Sequence, residues 1–197
     1  MKYKSGAALR QALEQRLLDR ARETGTSLVR LRKTVVFDRL LARLAVAAPK
    51  RWVLKGALAL DFRLGHRTRT TKDMDLIRND NETAATADLI AAQAVELEDF
   101  FSFEVQKIGA PSQELEGIAV RYRVRAELAG RRFEEVTVDI AFSDPLMWEP
   151  EELIGPDLLA FAGIKPIAVP TLPLEQHVAE KVHAYTRTYA GGRSSSR

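Results

Sequence analysis

A chain of 197 residues with 46% hydrophobic side chains can pack one domain, or one domain with a helical extension, and its composition excludes global disorder. The lack of cysteine excludes a disulfide framework, a zinc–thiolate site and a cysteine nucleophile, and the three scattered histidines, His66, His177 and His183, form no zinc motif. The net charge of +3 and pI near 9.3 come mostly from arginine, a side chain suited to phosphate, although a GC-rich genome biases composition the same way.

Met1 to Gly6 leads into an Arg- and Glu-rich segment instead of an apolar signal core, and no apolar run is long enough to span a bilayer. A cytoplasmic protein without membrane contact is therefore expected. Leu9, Leu13, Leu17 and Leu18 recur at helical spacing and predict a helix over 7–24. Gly25-Thr26-Ser27 breaks it, and Thr26 or Ser27 caps a second helix with an apolar face and a basic one of Arg30, Arg32, Lys33 and Arg39. Pro49 ends that helix. Trp52-Val53-Leu54 predicts a short strand, and Gly56 turns the chain into a short helix through Phe62.

A basic loop over 65–70 precedes a strand over 73–77, and Asn79-Asp80-Asn81 is turn and cap chemistry before an alanine-rich helix over 83–97. Phe101–Val105 alternates as a strand. Val120–Leu128 alternates more strongly, turns at Ala129-Gly130-Arg131, and returns with Val136, Val138 and Ile140 on one face. The proline-rich stretch 145–173 reads as a loop with short elements, before a helix over 174–189 and a Gly/Ser-rich end. The expected fold is α/β (α+β), a mixed sheet flanked by helices. Its expected parts are an N-terminal helical region over 1–48, a core over 49–145 and a C-terminal helical region over 146–197.

The chemistry concentrates in Thr71-Lys72-Asp73-Met74-Asp75-Leu76. Side chains alternate along a strand, so Asp73 and Asp75 share one face while Met74 and Leu76 pack behind them. Neighbouring carboxylates repel, and a hard divalent cation such as Mg2+ or Mn2+ removes that cost. Arg67, Arg69 and Lys72 flank the pair with phosphate-suited cations, and Asp139 offers a third acid on the polar face of the return strand. Three carboxylates on adjacent strands suit in-line attack at phosphorus. Arg121, Arg123 and Arg125 form a stripe on one strand face and suit a polyanion such as RNA, against the plainer reading of a solvated face.

Lys55-Gly56, Thr71-Lys72-Asp73-Met74-Asp75-Leu76, Val138-Asp139-Ile140 and Glu180-Lys181-Val182-His183-Ala184 together resemble the AbiEii/MenT nucleotidyltransferase toxins, of the DNA-polymerase-β-like nucleotidyltransferase superfamily. The resemblance implies a nucleotidyltransferase fold and the toxin half of a toxin–antitoxin pair linked to phage defence. It implies Asp73, Asp75 and Asp139 as metal ligands and catalytic acids, and Lys181 as a catalytic-helix lysine on phosphate. It further implies a turn glycine at Gly56 that lets backbone approach the triphosphate, and Thr71 stands where the family often has Ser or Thr; with these, Lys55, Arg67, Arg69 and Lys72 are expected to bind the nucleotide. Ala57 and Leu58 stand where the family often has a small residue and then Ser or Thr. A further helical Asp, common in the family, would lie beyond Arg197, so a truncated form, a short natural variant or a broken reading frame is expected.

Two function classes stay open. The first is a Mg-dependent enzyme moving a nucleoside monophosphate from an NTP to RNA, the tRNA 3′ end foremost, which would block translation. An aminoglycoside-like small-molecule acceptor is the alternative within this class. The second is an inactive relative that binds nucleotide, RNA or its cognate antitoxin.

Overall fold

The computed structural model describes residues 2–65, 72–109, 120–143 and 148–186. Helix α1 (Gly6–Thr24) starts where the Ser5 hydroxyl accepts a hydrogen bond from Ala8 N–H, and stops at Gly25 in the left-handed region. It buries Leu9, Leu13 and Leu17, one per turn, each contributing about 1.5–3 kcal/mol. Helix α2 (Leu28–Ala47) is capped by Ser27 in the same way and packs against α1, α4 (Glu82–Gln93) and the sheet.

Arg39 departs from the expected solvent-facing basic stripe of α2. It is buried, held by Asp38 at 2.7 Å and within 3.6 Å of Asp99. The helix has partners on nearly every side, so its polar positions turn inward onto carboxylates. Arg43, one turn later, is sealed in completely. It forks Asp99 at 2.7 and 2.9 Å, donates to the Phe101 carbonyl, and lies over the Phe103 ring. Helix α4, expected to reach residue 97, ends at Gln93. Glu98 and Phe100 take positive φ, a path that sets Asp99 beneath Arg43.

The strands form one seven-stranded sheet, ordered β3-β4-β5-β2-β1-β7-β6. They are β1 (Val53–Lys55), β2 (Asp73–Arg78), β3 (Phe101–Gly109), β4 (Val120–Leu128), β5 (Arg131–Phe142), β6 (Glu151–Ile154) and β7 (Ala168–Thr171). The pairs β2–β5 and β1–β7 are parallel and the others antiparallel. The stretch read as a proline-rich loop thus supplies β6 and β7, which extend the sheet beyond β1. Helix α3 (Gly56–Leu64) follows β1 directly, and α5 (Leu174–Thr186) closes the described chain.

One sheet face carries Met74 and Leu76 from β2, Val120, Tyr122, Val124, Ala126 and Leu128 from β4, and Val136, Val138 and Ile140 from β5. These join the leucines of α1 and α2 and Ala85, Leu89 and Ala92 of α4 in one core. Period two sends the alternate residues to the other face, where the acids stand. Among the described residues no helix is long and apolar enough to cross a membrane.

Candidate active site

Register assembles the site. Lys55 on β1 stands opposite Asp75 on β2. Asp75 stands opposite Asp139 on β5, and Asp139 opposite Arg121 on β4. A single rung across four strands therefore reads Lys55, Asp75, Asp139, Arg121. Asp73 lies two residues from Asp75 on the same face, opposite Thr137.

The rung is electrostatically tense. Asp75 is pushed up to about 6, first by burial and then by the charge of Asp139, with Asp73 adding and Lys55 and Lys181 opposing. Lys181, exposed on α5, is thus within electrostatic reach of the acids. Lys55 also meets Glu180 of that helix at 3.6 Å. Asp139 was expected on a merely polar strand face; its residue is only 3% exposed, because Arg121 covers it. The guanidinium donates from Nε and Nη2 to the two carboxylate oxygens at 2.6 and 2.7 Å, and this pairing raises the Arg121 pKa.

Gly56 explains the Lys-Gly turn. Its φ is +68°, and a Cβ there would lie 1.8 Å from Asp75 Oδ2. Among the described residues no side chain caps the start of α3, so its first N–H groups form a positive helix end beside the acids, a natural seat for phosphate. Gly56→Ala is expected to cost at least about 1–2 kcal/mol in backbone strain alone and to dislodge the Asp75 carboxylate. Thermal melts and nucleotide titrations check both effects. An alanine variant with native stability and affinity would refute the tight-turn role.

The donor set suits a hard divalent cation, with carboxylates of Asp73 and Asp75 on one strand face and the charge of Asp75 opposed by its burial and by Asp139. Among the described residues no three such ligands converge on one point, and Arg121 occupies Asp139. The β2 pair therefore fits a cation as it stands, and Asp139 does so once Arg121 lets go.

Arg67, Arg69, Thr71 and His66 lie outside the described residues. Lys72 is exposed beside the acids, and its carbonyl accepts from Lys33 Nζ of α2. Arg123 and Arg125 share the face of Arg121 but pair with Glu135 and Glu104 at the surface. His183 is exposed, whereas His177 is buried and its Nδ1 has no hydrogen-bond partner among the described residues. Burial, with Lys181 adding, pushes the His177 imidazole below its ordinary range. The sequence reading missed the Arg121–Asp139 pair, although an Arg at one strand position and an Asp on its hairpin partner is a usable sign of a cross-strand pair.

The family described as Nucleotidyl transferase AbiEii toxin, Type IV TA system, matches residues 39–197. Among solved structures, the nucleotidyltransferase toxin MenT4 from Mycobacterium tuberculosis H37Rv superposes with a TM-score of 0.64 at 22% identity, over 91% of this chain and 59% of that one. JHP933 from Helicobacter pylori is 16% identical over 82% of this chain and 60% of that one, with a TM-score of 0.46. The chain thus spans about three-fifths of the length of either structure. No curated protein matches it. With residues 39–197 matched, the chain belongs to the AbiEii nucleotidyl transferase toxin family.

Proposed function

We propose that this chain transfers a nucleoside monophosphate from an NTP to RNA, with the 3′ end of tRNA as acceptor. Such transfer would block translation in the cytoplasm until a cognate antitoxin intervenes, a role consistent with phage defence. The carrying observation is the register of Asp75 with Asp139 beside Gly56 and the open end of α3. Asp73 and Asp75 would hold Mg2+ or Mn2+, with Asp139 as the third ligand. A bound cation supplies positive charge to the triphosphate and lowers the pKa of an attacking hydroxyl.

The chain's own groups do the positioning. The first N–H groups of α3 receive phosphate oxygens, and Lys55, Lys72 and Lys181 place positive charge around them. Arg67, Arg69 and Thr71, which precede β2 in the sequence, are assigned to the same triphosphate. Incubation with labelled NTPs, Mg2+ and total tRNA tests the reading. Label appearing at tRNA 3′ ends is expected; label on an aminoglycoside, or nucleotide bound without transfer, would replace it.

The RNA would lie along the acid-bearing face of the sheet, where Arg123 and Arg125 stay partly exposed. Both are shared with carboxylates, so phosphate must compete for them. Arg123→Gln with Arg125→Gln is expected to weaken tRNA binding and to lower its log–log salt slope by about 1 per residue. NTP affinity should hold. An unchanged salt slope would leave these two arginines as surface ion pairs only.

A further inference from the structure

Arg121 differs in kind from the two arginines that share its strand face. Arg123 and Arg125 meet glutamates at the surface, where ion pairs contribute little. Arg121 instead forks a nearly buried aspartate, with both Asp139 oxygens engaged at 2.6 and 2.7 Å. That aspartate is the acid in register with Asp75. Asp139 cannot turn its forked oxygens toward Asp75 without loosening Arg121, which accounts for the absence of a converged three-acid cluster among the described residues.

The rung explains why the fork closes. Reading across, its charges are Lys55 positive, Asp75 and Asp139 negative, Arg121 positive. Arg121 also feels Asp73 and Asp75. Without a divalent ion, the guanidinium is the cation that two adjacent carboxylates require. Two further positive charges at Asp73 and Asp75 reverse this balance, since Arg121 would then face a cation across the one intervening strand, β5. The guanidinium keeps its charge under all conditions, so it can leave only by finding another anion. Its planar fork matches phosphate as well as carboxylate. The side chain is 28% exposed, so one side of it is open to solvent.

We propose that Arg121 is an exchange residue: it neutralises Asp139 in the metal-free protein, and on loading with a divalent cation and a nucleoside triphosphate it hands Asp139 to the cation and moves to a phosphate oxygen of the nucleotide. No bond is made or broken; two ion pairs trade partners. This rests on the metal-holding reading of Asp73, Asp75 and Asp139 given above. It makes nucleotide loading and metal loading mutually dependent, because neither partner alone offers both Asp139 and Arg121 a new counter-charge.

Arg121→Gln separates this from a structural pair, because it should move two affinities in opposite directions. Mn2+ binding to the full chain, followed by the electron paramagnetic resonance signal of free Mn2+, should tighten by about tenfold, since no guanidinium competes for Asp139. Binding of a non-hydrolysable nucleoside triphosphate in saturating Mn2+ should weaken by about tenfold, since the phosphate loses its fork. Loss of both affinities, or no change in either, overturns the exchange while leaving the metal site standing. Absence of Mn2+ binding by the unaltered chain and the variant alike overturns the metal reading and the exchange together. If Arg121→Gln does not fold, the unaltered protein decides. Its Arg121 Nε–H resonance should be protected in chelator and should shift and lose protection with Mg2+ and the nucleotide analogue. A resonance unmoved at saturation overturns the proposal.

Discussion

Asp75→Asn is expected to lower nucleotide transfer by about 10³-fold and, in chelator at pH 7.5, to make the protein more stable. The two effects have one origin. Asp75 is raised to about 6 in the fold against 3.8 for an ordinary aspartate carboxyl, because burial and Asp139 oppose its charge. The folded state therefore binds this proton more tightly than the unfolded chain does. Stability of the metal-free wild type should rise as pH falls through 6 toward 4, by an amount on the order of 2–3 kcal/mol from this group. Asn carries no charge, so that component of the pH dependence should vanish and the variant's advantage should fade at pH 4.5. Asp73→Asn should lose transfer as well with its fold intact. Chemical denaturation across pH in chelator is the measurement. A destabilised Asp75→Asn at pH 7.5 would identify a structural acid and remove it from the site.

Arg43→Met should cost about 3–5 kcal/mol, the largest single effect on stability expected here. Arg43 and Asp99 are each 1% exposed and joined by two hydrogen bonds. Removal of the arginine strands a buried carboxylate and leaves the Phe101 carbonyl without its donor. Adding Asp99→Leu should recover most of the loss, because an apolar pair of similar volume needs no counter-charge. Urea midpoints of the two single variants and the double variant provide the cycle. A cost below about 1 kcal/mol for Arg43→Met would show that water reaches the pair.

These two predictions mark what the sequence displays and what it conceals. Asp75 and Asp139 are legible because each sits between apolar residues, Met74 and Leu76 or Val138 and Ile140, and Asp73 follows from Asp75 by the period of two, which selects the face. Helices α1 and α2 are legible from leucine spacing and from Ser27 as a cap. The neighbour relations are not, because they depend on strand order. Asp139 meets Asp75 only because β5 runs parallel to β2, and Arg121 reaches Asp139 only through the β4–β5 hairpin register. The three arginines of β4 are alike in sequence and acquire different partners from the strands beside them. Arg39 looked like solvent-facing helix surface for a related reason. Its environment includes Asp99, and Arg43, one turn on, meets that same aspartate across 56 residues. Strands β6 and β7 were hidden by brevity and by Pro170, which suits a short strand near a sheet edge.

Because Asp75 and Asp139 hang from adjacent hydrogen-bonded strands, the strand spacing of about 4.8 Å, and no loop, is the ruler that separates them. The elements that rim the site are attached to this ruler without being part of it. Helix α5 can lengthen, shorten or change composition while the distance between the acids stays as the backbone sets it. A one-residue slip of β5 would instead carry Asp139 into the apolar core and erase the site in one step. If the acids handle phosphate as proposed, such a scaffold permits wide drift in which acceptor is admitted and almost none in how the phosphate is handled.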